Sequence, residues 1–212
     1  YYSAWSWGIS RIIDGIEIVQ DELNANINRI AVTGCSYAGK MALFGGAFDE
    51  RIGLTIVQES GGGGINSWRV SETIGNVEKI DNTNYSWFKQ SMKTEFQGQV
   101  GLLPHDHHEL MAMIVPRALL VLGNPPFTWL GDESGYVACR AAEEVYKHFD
   151  IPGRFGFSFR SGHNHCVLPD ESYPEVKAFV DKFLFDSINT ETQIRVHEFH
   201  DTDYLHWTSE WR

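Results

Sequence analysis

The sequence predicts an α/β domain built on a parallel sheet, and three observations carry that expectation. Four short apolar runs, at 29–33, 53–57, 118–123 and 155–159, are each bounded by Gly, Asn or Ser. Stretches with apolar residues at three- and four-residue steps separate them. The two kinds alternate, so successive strands are joined by crossover helices and run parallel.

The elements follow in chain order. Trp5, Ile9, Ile12, Ile13, Ile16 and Val19 form one helical stripe before the first strand. A second helix begins near Ala38, and the strand at 53–57 follows. Residues 61–116 then show no strand pattern; they carry Trp68 and Trp87, a short helical pattern over 108–114, and Pro116-Arg117. An insertion of that length between strands more often shapes a site than fills a connection. The strand at 118–123 is all apolar, as a central strand should be. Val137, Ala141, Val145 and Phe149 mark the next helix, 155–159 the fourth strand, and Val176, Phe179, Val180 and Phe183 the helix at 173–185. The tail at 189–212 mixes polar residues with Trp207 and Trp211 and receives no assignment. No repeat or linker divides the chain, so residues 1–212 read as one domain.

Hydrophobic content of 42% with 13% aromatics supports a packed core and excludes low-complexity disorder. Seventeen basic against twenty-eight acidic residues give a net charge of -11, the wrong sign for a general nucleic-acid binder. No apolar stretch reaches the roughly 20 residues of a membrane span. The first residue is Tyr1 and no signal-peptide pattern precedes the fold, so a processed chain or a piece of a longer one is expected. A monomer is expected.

The chemistry concentrates at Gly34-Cys35-Ser36-Tyr37-Ala38-Gly39-Lys40. A strand ends here and a helix begins, with Ser36 at the sharp turn between them. Gly34 and Gly39 allow strand and helix to approach closely, which a strained turn needs if it is to present a hydroxyl. The helix N-terminus aims backbone N–H groups, that of Tyr37 among them, at an oxyanion beside Ser36. The alternative is an ordinary N-cap serine.

An α/β-hydrolase orders its triad Ser, acid, His, each partner just after a later strand. Glu59 follows the second strand, Asp132 the third, and His163 and His165 the fourth. These are the carboxyl ends of strands, where such sheets place their sites. Cysteines choose between the histidines. If Ser36 and His165 are to meet, Cys35 and Cys166 lie within disulfide reach. The expectation is therefore a Cys35–Cys166 bridge, His165 as base, His163 as a structural neighbour, and an oxidising compartment.

Together Gly34-Cys35-Ser36-x-x-Gly39-Lys40, Gln58-Glu59-Ser60-Gly61, Trp68-Arg69, Asp106-His107-His108, Pro116-Arg117 and Gly162-His163-Asn164-His165-Cys166 resemble the glucuronoyl esterases of carbohydrate esterase family 15. The resemblance runs from about Trp5 to Leu184. It implies a secreted α/β-hydrolase that needs no cofactor or metal. Its substrate would be the ester between 4-O-methyl-glucuronic acid on xylan and alcohols of lignin. It makes Ser36 the nucleophile, Glu59 the acid and His165 the base, with Asp132 as alternate acid. Lys40, Glu78 and Trp129 would hold the uronate sugar.

Three departures matter. Tyr37 stands where the family usually has an oxyanion-assisting Arg. Ser67 stands at a position of cysteine in fungal members, which leaves Cys139 as a free thiol. The sheet begins at the nucleophile strand, so the chain reads as the carboxyl-terminal portion of a larger hydrolase, with one sheet edge uncovered.

Competing readings are an acetyl-xylan or feruloyl esterase and a carbohydrate-binding pseudoenzyme. The run His105-Asp106-His107-His108 offers metal-ligand chemistry. However, Asp106 before a helix is a natural N-cap, and adjacent histidines diverge.

Overall fold

The computed structural model describes residues 2–210. Helices α1 (Tyr2–Ile18) and α2 (Gln20–Leu23) precede β1 (Ile30–Cys35), α3 (Tyr37–Phe48) and β2 (Ile52–Gln58). The insertion is helical: α4 (Trp68–Thr73), α5 (Gln90–Phe96) and α6 (His107–Ala112). Next come β3 (Ala118–Gly123), α7 (Asp132–His148), β4 (Phe155–Phe159) and α8 (Tyr173–Leu184). The tail adds β5 (Arg195–Val196) and α9 (Tyr204–Glu210); Trp211 lies outside the described residues.

The five strands lie in sequence order and every pair is parallel. Side chains alternate between two cores, as the two-residue period of a strand requires. Leu119 and Val121 of β3 join Val57, Phe155 and Phe157 beneath α3, α6 and α7. Ala118, Leu120 and Leu122 face the opposite way, with Leu54 and Ile56, against Phe179 of α8. The α/β layering expected from the alternation is therefore present. β1 pairs only with β2 among the described residues, and its exposed positions, Ala31 and Thr33, share one face of the strand.

Two details depart from the expected boundaries. β1 runs two residues further, to Cys35, so that α3 opens directly at Tyr37. The unassigned tail contributes an edge strand. It escaped a pattern reading because it is two residues long and held by a charged side chain. Arg195 donates to Glu143 Oε1 at 2.7 Å and to the Phe155 carbonyl at 2.7 Å.

Candidate active site

Ser36 sits between β1 and α3 with φ 58 and ψ −126, a left-handed conformation that costs a non-glycine residue of order 1–3 kcal/mol. Packing enforces it. The Ser36 N–H donates to the Gln58 carbonyl at 3.0 Å, and a Cβ at Gly34 would stand 2.3 Å from the Ala38 carbonyl oxygen. At Gly39 the same atom would meet the Gln58 carbonyl oxygen at 2.7 Å. Ser36 is the N-cap of α3, yet its side chain makes no capping bond. The hydroxyl is therefore not spent on the helix.

Glu59 leaves β2 with φ 47 and is 1% exposed. Its Oε2 lies 2.6 Å from His165 Nδ1 and accepts from Asn124 Nδ2 at 3.3 Å. Its Oε1 accepts from Gln58 Nε2 at 2.9 Å and from the Cys166 N–H at 3.1 Å. Both carboxylate oxygens of this buried side chain are thus engaged in hydrogen bonds. The bond to Nδ1 places Nε2 on the far side of the imidazole, whose side chain is 32% exposed.

Cys35 and Cys166 form a disulfide with a Cα–Cα distance of 5.7 Å. A His165 ring nitrogen lies within 4.8 Å of both sulfurs, so the bridge holds the imidazole beside the serine turn. No hydrogen bond joins Ser36 Oγ to the imidazole among the described residues; such bonds are often long in free enzymes and tighten around substrate. Of the six non-glycine residues with positive φ among the described residues, Ser36, Glu59 and Cys166 all belong to this cluster. Strain gathered at one place is a mark of a functional site.

The other expected groups lie nearby. Asp132 is 5% exposed, and burial next to the Glu59 charge pushes its carboxyl up to about 7. Its Oδ2 accepts from the Asn124 N–H at 2.5 Å. No hydrogen bond or ion pair joins it to His165 among the described residues. His163 is held by its ring nitrogens, 3.0 Å from the Arg160 carbonyl and 3.1 Å from that of Asn164. Asp106 caps α6 as expected, accepting from the His107 N–H at 2.8 Å, and it also accepts from the Trp68 N–H at 2.8 Å. Cys139 is buried and free.

The family model for fungal glucuronyl esterases matches residues 1–150. The chain belongs to that family. A 4-O-methyl-glucuronoyl methylesterase of Wolfiporia cocos is 41% identical over 90% of this chain and 48% of its own length. The crystal structure of the glucuronoyl esterase from Sporotrichum thermophile is 34% identical with a TM-score of 0.91, covering 98% of this chain and 57% of that one. A serine-to-alanine mutant of an esterase from the same organism, in complex with methyl 4-O-methyl-β-D-glucopyranuronate, matches with a TM-score of 0.89 at 32% identity, covering 99% of this chain and 58% of that one. The chain thus spans about half the length of the curated relatives it matches.

In this chain, Lys40 does not present an open ammonium. It is 3% exposed and donates to the Ser60 carbonyl at 2.8 Å, the Gly62 carbonyl at 2.5 Å and Glu78 Oε2 at 2.7 Å. Burial lowers its pKa, and the Glu78 charge opposes that shift. Glu78 Oε1 accepts from Thr83 Oγ1 at 2.6 Å. Any sugar hydroxyl reaching this pair must share atoms already in use. Trp129 is 37% exposed on a short 3₁₀ turn (Thr128–Leu130), and so is not a core residue.

Tyr37 lies parallel to Trp87 with centroids 5.8 Å apart and meets the Trp5 ring edge at 5.8 Å. Lys40 Nζ lies 5.5 Å from the centre of the Trp87 ring. Sequence reasoning placed Trp87 only within the site-shaping insertion and missed two residues here: Asn124, and Phe127, whose ring centroid lies 4.6 Å from that of His165. Asn124 carried one readable sign, its position directly after β3 at the carboxyl edge of the sheet.

Proposed function

We propose that the protein hydrolyses esters between 4-O-methyl-glucuronic acid carried on xylan and the alcohols of lignin, in an oxidising, extracellular setting. The observation that carries the reading is the Glu59–His165 pair at 2.6 Å, tethered beside Ser36 by the Cys35–Cys166 disulfide. Kinship with the methylesterases supports the substrate class. The disulfide supports the compartment.

Ser36 is the nucleophile. His165 Nε2 takes its proton as Oγ attacks the ester carbonyl carbon, and Glu59 stabilises the imidazolium through Nδ1. The helix-opening N–H of Tyr37 receives the oxyanion. As the intermediate collapses, the carbon–oxygen bond to the alcohol breaks and His165 returns the proton to the leaving oxygen. Water, deprotonated by His165, then attacks the glucuronoyl ester, releasing the acid and restoring the Ser36 hydroxyl. Lys40 and Glu78 form the floor under the sugar, and Trp129 stacks on its face. With Tyr37 in place of Arg, one side-chain donor to the oxyanion is missing. A single such donor is worth about 10²–10³ in rate, so turnover slower than that of Arg-bearing relatives is expected.

The test is Ser36→Ala in the full-length protein. Turnover of benzyl glucuronate should vanish while binding of the sugar persists; activity at the parent level would remove Ser36 from the mechanism. Acetylated xylan and feruloyl esters assayed beside it separate this reading from other carbohydrate esterases.

A further inference from the structure

We propose that Phe127 receives the alcohol portion of the ester and favours alcohols with a flat apolar body; this rests on the esterase reading above. The placement follows from the proton path. His165 Nδ1 is engaged by Glu59 at 2.6 Å, so the proton for the leaving oxygen must come from Nε2. A donor and acceptor in proton transfer stand about 3 Å apart. The carbon atoms of the alcohol therefore begin within a few ångströms of the imidazole's outer edge.

Phe127 is the aromatic ring packed on that imidazole. The ring centroids are 4.6 Å apart and the planes are tilted by 34°. Its side chain belongs to neither core cluster, and the residue is 41% exposed. The turn that presents it is stiff. Pro125 and Pro126 precede it, the Phe127 N–H donates to the Asn124 carbonyl at 2.9 Å, and its own carbonyl accepts from the Leu130 N–H at 2.9 Å. Asn124 in turn reaches both Glu59 and the Asp132 carboxylate. The ring is thus fixed to the same residues that fix the imidazole, which is what a specificity wall requires. An aliphatic or aromatic alcohol leaving past Nε2 would cover this apolar surface. Methanol would leave it wet.

The experiment measures binding, so it stands apart from turnover. A full-length Ser36→Ala protein, which keeps the ester intact, is titrated with the benzyl and the methyl esters of 4-O-methyl-glucuronic acid. The benzyl ester should bind more tightly. Adding Phe127→Ala should reduce that preference by about two- to tenfold, the range for one aromatic contact, and Phe127→Tyr should restore it. Phe127→Leu serves in place of Phe127→Ala if that variant does not fold. Equal weakening of both esters would assign the ring to the sugar or to the imidazole alone and overturn the proposal. So would an unchanged preference, or none in the parent. Failure of the esterase reading has a different sign: the protein with Ser36 intact hydrolyses neither ester, whatever the binding ratio.

Discussion

At the scale of single residues, the two carboxyl groups near His165 are told apart by their surroundings. Glu59 accepts four hydrogen bonds, including the 2.6 Å contact to the imidazole. Asp132 has an Oδ1 with no hydrogen-bond partner and a carboxyl raised by burial to about 7. Only Glu59 can hold the imidazole in the tautomer that leaves Nε2 free to accept a proton. Glu59→Gln should therefore lower kcat by about 10⁴, the drop seen when a triad acid becomes an amide. Asp132→Asn should cost about tenfold or less. Steady-state rates on one ester decide; the reverse ranking would move the acid to Asp132. This part of the site was legible in the sequence because each residue follows directly on a strand end, where position in the chain fixes position in the fold. Phe127 was not legible, and Trp87 was legible only as part of a site-shaping insertion. Their placement depends on how loops fold over the sheet, which no short-range pattern encodes.

At the scale of elements, the serine turn is a joint between β1, α3 and the loop after β4. Gly34 and Gly39 are the contact points, and both lack room for a Cβ. Gly39→Ala should push α3 away from the β2 end. We expect a loss of stability of about 1–3 kcal/mol, the usual cost of overpacking, with a fall in kcat from displacement of Ser36. Thermal unfolding and kinetics on the same sample check both. The disulfide joins residues 131 apart in sequence. Removing a native bridge typically costs about 2–5 kcal/mol, so Cys35→Ser with Cys166→Ser should lower the urea midpoint by a corresponding amount. It should also reduce kcat, since His165 would lose its tether. A double variant that kept full activity would show that packing alone positions the imidazole. The strands and helices flanking this joint could be anticipated because their apolar periods are strong. β5 could not, because its two residues are fixed by Arg195 and its ion pair with Glu143 rather than by an apolar pattern.

Across the whole molecule, buried ionisable groups set how stability responds to pH, and two sets oppose each other in one window. His107 and His108 are buried, and burial lowers both pKa values, that of His108 to about 4. The unfolded chain then binds protons the folded one does not once the pH falls below the ordinary histidine range of about 6.5. These groups therefore destabilise the fold as the pH drops from about 6.5 toward 4. Asp132 acts the other way. Its folded pKa is raised to about 7, so it favours the fold at low pH and withdraws that support as the pH rises from about 4 toward 7. Asp49 and Glu143, whose pKa values are lowered, add a further loss of stability only at more acid pH. The net slope between pH 4 and 7 is thus a partial cancellation, and single variants should unmask each half. Asp132→Asn should steepen the rise in unfolding free energy across this window. His108→Gln should flatten it, by roughly 1–3 kcal/mol over the interval. Urea unfolding at half-unit pH steps measures both slopes. If the two variants shifted the curve in parallel, leaving its slope unchanged, neither group would titrate between the folded and unfolded states as their burial requires.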